Sequence, residues 1–101
     1  MKWIQYIGYQ PRLDTRIYAF RVIDALVEAR EFEFSIKTEA LYNNKFKYQD
    51  IPDLCFAKLK HDLTFETDEK PLPPRFTVSD GELRRYVEEH YPAKSRPSRS
   101  W

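Results

Sequence analysis

The side chains that could carry chemistry are Cys55, His61 and His90, the only cysteine and the only two histidines of this 101-residue chain. Together they could form a nucleophilic dyad or contribute to a metal site. Cys55 and His61 lie six residues apart in a predicted helix, so a rotation of about 600° places them on nearly opposite faces. Cys55 also falls in the apolar stripe of that helix, where burial would raise the thiol pKa and suppress its reactivity.

No other pattern in the sequence is typical of a catalytic or cofactor site. Phosphate-binding loops need closely spaced glycines, but Gly8 and Gly81 are the only two and lie far apart. The paired acids Glu31 and Glu33 are better explained as the solvent-facing side of a strand. We therefore predict a protein that is not an enzyme and that binds no metal or cofactor.

Recognition by aromatic rings and cations is the second kind of chemistry that the sequence offers. The chain has seven tyrosines and two tryptophans, and both types are enriched at protein contact surfaces. In residues 43–48 lysines alternate with aromatic residues, so cations could contact phosphates while rings stack on bases. The alternative, which we favour, is that Phe46 and Tyr48 pack under the sheet edge while Lys45 and Lys47 point outward and protect that edge.

The distribution of charge argues against nucleic acid as the principal ligand. The net charge is +1, but residues 92–101 contain Lys94, Arg96 and Arg99 and no acid, which leaves −2 on residues 1–91. A dedicated nucleic-acid domain usually has a basic body. The basic tail could nevertheless hold phosphate groups loosely, and Trp101 could anchor a partner.

The candidate contact residues are the aromatic and basic side chains of the N-terminus, of residues 43–48 and of the tail: Trp3, Tyr6, Tyr9, Lys45, Phe46, Lys47, Tyr48, Arg96, Arg99 and Trp101. We predict a small non-catalytic binding or accessory protein whose partner is another protein or a second copy of this chain. The alternative is a nucleic-acid-associated module that uses Lys45, Lys47 and the basic tail.

Three strands are predicted to position the N-terminal candidates. Residues 3–9 are rich in aromatic and β-branched side chains, which favour strands. Residues 16–23 carry apolar groups on both faces, so we place this strand in the centre of the sheet and expect a connection over residues 24–29. In residues 30–37, apolar and polar side chains alternate, which predicts one covered face and one solvent-facing side of an antiparallel sheet.

Helices are predicted in the second half of the chain. We expect Thr38 to cap a short helical turn, and Asp50 to cap a helix over residues 50–65. Apolar residues recur every four positions along that helix and form a stripe on one face: Ile51, Cys55, Leu59 and Leu63. Leu54 and Phe56 are expected to widen this stripe.

A second helix is predicted after the proline-rich residues 71–74, which we interpret as a rigid connector rather than as a polyproline ligand. Residues 75–78 are a short strand candidate. Ser79 and Glu82 have the spacing of a capping box. The residues that follow at helical spacing are expected to share one face: Leu83, Tyr86, Val87, His90 and Tyr91.

The element order is β-β-β-α-β-α, which predicts an α+β fold with a mostly antiparallel sheet of three to four strands and two helices packed on one face. We expect a single domain over residues 1–92 and a flexible basic tail over 93–101. No segment approaches the roughly 18 apolar residues that span a bilayer, and the N-terminus lacks the apolar run of a signal peptide. We therefore expect no membrane partner and a soluble protein of a reducing compartment, most simply the cytoplasm.

Several short segments carry a resemblance to a known family. They are Asp14-Thr15-Arg16 before a strand with Phe20, the Asp24 turn, Phe32 and Phe34 before Glu39-Ala40-Leu41, a helix with Phe56, and Phe76-Thr77-Val78-Ser79-Asp80. Over residues 12–83 the chain resembles a family of short uncharacterised bacterial proteins, a domain of unknown function. The resemblance implies the fold and a bacterial origin, but no activity and no functional residues. The aromatic N-terminal strand, the proline-rich link and the long last helix with its tail depart from the family pattern.

Overall fold

The chain builds one mixed sheet and covers one of its faces with helices. The computed structural model describes residues 2–24 and 27–91. The elements in chain order are β1 (Lys2–Pro11), β2 (Thr15–Asp24), β3 (Val27–Lys37), α1 (Thr38–Asn43), α2 (Ile51–Thr64), β4 (Arg75–Thr77) and α3 (Asp80–His90), with a single 3₁₀ turn over Tyr48–Asp50 before α2. The predicted α+β fold with the order β-β-β-α-β-α is confirmed, and α1 is the expected short helical turn.

The sheet has the spatial order β1-β2-β3-β4. The first three strands are antiparallel neighbours, and β4 pairs with β3 in parallel. The prediction of a central position for β2 is confirmed. The predicted connection over residues 24–29 is wrong in its extent: Asp24 already pairs with Val27, because the backbone hydrogen bonds of an antiparallel ladder do not depend on which side chains residues 27–29 carry.

The core lies between the sheet and the helices α2 and α3. Phe32, Phe34 and Ile36 of β3 are buried, which confirms the alternation predicted for this strand, and Glu31 and Glu33 are exposed on the opposite face. The helices contribute the buried side chains that pack against this face: Ile51, Leu54, Cys55, Leu59 and Leu63 from α2, and Leu83, Tyr86 and Val87 from α3.

The start of α3 follows its sequence pattern closely, whereas the start of α1 does not. The backbone N–H of Glu82 donates to Ser79 Oγ at 3.2 Å, and the Ser79 N–H donates to the Glu82 carboxylate at 3.1 Å. This capping box confirms the prediction. Thr38 is not a cap but the first residue of α1, and Lys37 at the N-cap position offers no side-chain hydrogen bond. The physical reason is that β3 runs directly into α1, so Thr38 already has helical geometry.

Phe56, which the sequence predicts for the apolar stripe of α2, is exposed, and so is His90, which shares the predicted face of α3 with Tyr86. Phe56 follows Cys55 on α2, and one residue step rotates a side chain by about 100°, enough to bring Phe56 out of the covered stripe to 38% exposure. His90, at the last position of α3, is also exposed, although its ring stacks on Tyr86. Among the residues that the structure describes, no helix is long and apolar enough to cross a membrane.

The proline-rich residues 71–74 connect α2 to β4 along the edge of β3. The Glu66 carboxylate accepts the N–H of Leu72 at 2.7 Å and pairs with the Arg30 guanidinium at 2.8 Å. The Pro74 carbonyl accepts the N–H of Glu33 at 2.9 Å. These bonds join the connector to β3, so that β4 enters the sheet parallel to it.

Candidate functional site

Strand β1 forms one edge of the sheet and carries three of the predicted contact residues. Trp3 is 71% exposed, Tyr6 41% and Tyr9 50%. The strand reads KWIQYIGYQP and has a single charged residue, at its very start. Exposed sheet edges usually carry charges or are short, because unpaired backbone groups offer a template for another strand. A ten-residue aromatic edge strand is therefore a surface suited to strand addition.

A β-bulge places Tyr6 and Tyr9 on the same face of β1. Side chains three residues apart in a regular strand point to opposite faces, but the β1–β2 register shifts between Tyr6 and Gly8. Tyr6 is paired with Phe20 and Tyr9 with Tyr18, and both partners face the core. Gly8 has φ of 154°, which glycine adopts without strain. The extra residue thus aligns the two tyrosines on the helix-covered side of the sheet.

The exposed tyrosine rings are supported from below by buried rings. The Tyr6 ring centroid lies 5.2 Å from that of Phe20, and the Tyr9 centroid lies 5.4 Å from that of Tyr18. Contacts at these distances are favourable for aromatic pairs. Because each ring is already packed on one side, it loses little conformational freedom when a partner covers the other side.

Arg16 on β2 lies between two of the predicted contact residues. Its guanidinium carbon is 4.4 Å from the Tyr9 ring centroid and 4.3 Å from the Tyr48 ring centroid. Tyr9 belongs to β1 and Tyr48 to the 3₁₀ turn before α2, so the structure brings together two elements far apart in the chain. The Arg16 Nε is buried, and among the described residues it has no hydrogen-bond partner.

Arg16 was missed by the sequence reasoning, although a signal for it existed. Alternation along β2 places it on the same face as the buried side chains of Tyr18, Phe20 and Val22. A cation on an otherwise apolar face is unusual and marks a residue with a specific partner or function. Burial raises the pKa of the neighbouring Tyr18 to about 12, although the Arg16 charge acts in the opposite direction.

The lysine- and tyrosine-rich residues 43–48 do not form a continuous stacking platform. Phe46 is 5% exposed and packs against the rings of Tyr86 and Tyr91. Its ring therefore offers no surface to a partner, so its predicted burial is confirmed, but it packs against the end of α3 rather than under the sheet edge. The same prediction is wrong for Tyr48, because its ring packs on Arg16 and stays half-exposed. Tyr48 is half-exposed, and Lys45 and Lys47 are exposed. The three tail candidates, Arg96, Arg99 and Trp101, lie outside the described residues.

The other end of β1 borders α2 and forms an open depression of about 460 Å³. Its lining residues come from the start of the strand and from the second half of the helix: Trp3, Ile4, Phe56, Lys60, Leu63 and Thr64. Phe56 is thus a surface residue here, and the sequence reasoning had assigned it to the core. We call the exposed aromatic set along β1, the 3₁₀ turn and α2 the β1–α2 surface; it consists of Trp3, Tyr6, Tyr9, Tyr48 and Phe56. Trp3 pairs with the exposed Ile23 and so starts from the opposite face of β1 to the two tyrosines, but it borders α2 at the depression beside Phe56.

Cys55 and His61, the pair that could have formed a dyad, are separated by the helix. Cys55 is fully buried, and burial raises its thiol pKa to about 12. The His61 side chain is 72% exposed, about 120° around α2 from Cys55. Within residues 2–24 and 27–91 no group of three or more potential metal ligands is present.

Comparison with known proteins adds no relative: no family model, curated protein or solved structure matches this chain. The resemblance over residues 12–83 therefore stays a prediction.

Proposed function

We propose that this protein is a non-catalytic binding or accessory protein of the cytoplasm that engages a protein partner through the β1–α2 surface. The observation that carries the proposal is the aromatic edge strand, with Trp3, Tyr6 and Tyr9 exposed along it. Tyrosine and tryptophan are the residue types that contribute most at protein contacts. The buried, reduced thiol of Cys55 is in keeping with a reducing compartment.

The shape of this surface favours a protein segment over a small molecule. Trp3 and Tyr9 are separated by six residues, or about 20 Å of extended strand at roughly 3.3 Å per residue. Small-molecule sites are typically concave and enclose most of the ligand, whereas this surface is long and open. An extended segment could pair with the backbone of β1 while its side chains contact the rings.

The proposal can be tested by site-specific photocrosslinking in the native host. A photoreactive phenylalanine analogue is incorporated at Trp3 or Tyr6, and at Glu69 as a matched exposed control far from the β1–α2 surface in sequence. We expect one discrete protein adduct from the first two positions and none from the third. The adduct protein is then purified, and its binding to wild type and to Trp3→Ala is measured by calorimetry. Equal crosslinking from all three positions, or binding that Trp3→Ala leaves unchanged, would contradict the proposal.

A nucleic-acid-associated module is the second candidate function, and one contact favours it. The Lys47 ammonium lies 5.1 Å from the Tyr91 ring centroid, and the Lys47 N–H donates to the Tyr91 hydroxyl. Tyr91, the last described residue, therefore lies beside Lys47, and the basic residues 94, 96 and 99 follow it in the sequence. This candidate predicts binding of single-stranded RNA that weakens steeply with salt and is lost on removal of residues 93–101. Absence of a mobility shift at low salt would eliminate it.

A further inference from the structure

We propose that Arg16 is a recognition site for a carboxylate, supplied by an acidic protein segment that adds to the edge of β1 as an extended strand. The inference rests on the proposed function, and it specifies the chemistry of the partner. It concerns the end of β1 where Tyr9, Arg16 and Tyr48 meet.

The arrangement of the two rings determines how Arg16 can be used. Tyr9 and Tyr48 approach the guanidinium at 4.4 and 4.3 Å, so the rings occupy stacking positions and the remaining interaction sites are the N–H groups in the guanidinium plane. A carboxylate accepts two parallel hydrogen bonds from such a planar fork. The rings thus orient the donors; one of them is engaged by the Tyr18 side chain, and the buried Nε has no hydrogen-bond partner among the described residues.

The charge of Arg16 is not neutralised within the described part of the chain. No carboxylate of residues 2–24 or 27–91 forms an ion pair with it, and its buried Nε has no hydrogen-bond partner there. By contrast, Arg21, Arg30 and Arg84 each pair with a carboxylate. Burying part of a cation without a counter-ion lowers the stability of the folded protein. Residues that lower stability in this way are commonly found at functional sites.

The surroundings of Arg16 favour an acidic segment. Lys45 and Lys47 are exposed in the same depression as Tyr48, whereas Lys60 is exposed beside Trp3 at the other end of β1. A strand with acidic residues near its ends therefore finds a cation at each end of β1 and aromatic rings between them. Complementary charge of this kind steers association and excludes partners of the wrong sign.

A second copy of this strand cannot supply the carboxylate. Pairing of β1 with the β1 of another molecule would juxtapose two segments of sequence KWIQYIGYQP, which contains no acid. Nucleic acid lacks the peptide groups that pair with a sheet edge. An acidic peptide strand satisfies both the edge and Arg16.

The experiment uses two synthetic peptides of alternating valine and threonine, capped at both termini, with glutamate at both ends in one and glutamine in the other. Binding to the full chain is measured by fluorescence polarisation and located by amide NMR shifts. We expect the glutamate peptide to bind about tenfold more tightly, as a charge-assisted hydrogen bond predicts. Arg16→Gln should remove most of this preference while retaining weak binding of both peptides, and Arg16→Lys, which lacks the planar fork, should restore only part of what is lost.

Arg12→Gln is the matched control, because Arg12 is an exposed arginine of the adjoining β1–β2 turn that hydrogen-bonds to Gln10; it should keep the full preference. Equal affinity of wild type for the two peptides, or a preference that Arg16→Gln leaves undiminished, overturns the carboxylate site but leaves β1 as a protein-binding edge. Absence of binding by either peptide overturns strand addition at β1, and the crosslinking experiment then judges the proposed function separately. Tighter Arg16-dependent binding of oligouridylate than of the glutamate peptide overturns the inference in favour of nucleic acid.

Discussion

The guanidinium of Arg16 lies 4.3 Å from the centre of the Tyr48 ring, so a side chain of the central strand β2 contacts the turn that starts α2. Arg16 has Tyr9 of the edge strand on its other side. This one cation therefore connects the sheet edge, the sheet centre and the start of the helix layer. The aromatic candidates that the sequence indicated separately, Tyr9 and Tyr48, are parts of one site because Arg16 lies between them.

The stacking energy of this site can be measured with a double-mutant cycle. We expect Tyr48→Ala to lower the free energy of unfolding by about 1 kcal/mol, since an exposed cation–π contact contributes about 0.5–1 kcal/mol and some ring burial is lost as well. In an Arg16→Met background the same change should cost less by about 0.5–1 kcal/mol, which is the coupling energy. The measurement is urea denaturation of the four proteins. Tyr42→Ala serves as the control for an exposed tyrosine, and full additivity of Tyr48 and Arg16 would contradict the contact.

The two glycines should respond to alanine with opposite signs. Gly81 lies in the first turn of α3, where an added Cβ meets only Ser79 Oγ at 3.9 Å, so Gly81→Ala should raise the free energy of unfolding by about 0.5–1 kcal/mol. Gly8 has φ of 154° at the bulge, a conformation that strains alanine. Gly8→Ala should therefore lower the free energy of unfolding by about 1 kcal/mol or more. Thermal unfolding of both variants against wild type provides the measurement. A stabilising Gly8→Ala would show that the bulge does not need glycine.

The stability of the protein should fall at alkaline pH. Burial raises the pKa of Cys55 from 9.0, and those of Tyr18 and Tyr91 from 10.0, each to about 12. The unfolded chain therefore loses these protons at lower pH than the folded protein, and between the two values rising pH favours unfolding. We expect urea midpoints that are unaffected by these groups up to about pH 9 and decrease from there toward pH 12.

Cys55→Ala tests how much of the alkaline loss of stability is due to ionisation of the Cys55 thiol. The variant is less stable at neutral pH because it loses buried volume, but its midpoint should approach that of wild type as the pH rises above 9.0. Tyr42→Phe, at an exposed position, is the control and should follow the wild-type curve. A constant gap between Cys55→Ala and wild type across the alkaline range would show that the thiol is not protected.

Asn44 should contribute more to stability than its neighbour Asn43. Asn44 is 6% exposed, and its amide donates to the Ala40 carbonyl at 2.8 Å and to Asp80 Oδ1 at 2.7 Å, which joins the end of α1 to the start of α3. Asn44→Ala removes both side-chain bonds, leaving the Ala40 carbonyl only the backbone N–H of residue 44 at 3.1 Å, and should cost about 1–3 kcal/mol. Asn43→Ala, at an exposed position, should change the free energy of unfolding by no more than about 0.5 kcal/mol. Chemical denaturation compares the two, and equal effects would contradict a structural role for Asn44.

Features that depend on a few neighbouring residues were predictable. The alternation around Phe34 determines which side of β3 is buried, because a one-residue shift would expose every large apolar group of the strand. Ser79 and Glu82 form their capping box at a spacing set by helix geometry alone. The burial of Cys55 follows in the same way, because it belongs to the apolar residues that recur every four positions along α2.

Features that depend on how elements pack were not predictable in this way. The spacing of Tyr6 and Tyr9 predicts opposite faces, and only the shifted pairing with β2 at Gly8 reveals that they share one. Phe56 fits the apolar composition of α2 but lies outside the contact area with the sheet. Thr38 has the chemistry of a cap but not the position, because β3 continues into α1 without an intervening residue.

The sequence by itself determined the order of the elements, the covered face of the central strands and the capped start of α3, since each follows from periodicity or from bonds between near neighbours. Only the tertiary structure decided that Arg16 lies between Tyr9 and Tyr48 and that these rings lie at the β1 edge of the sheet. The physical reason is that a cation between two rings from distant segments forms by the docking of whole elements, and local propensities do not encode where those elements dock.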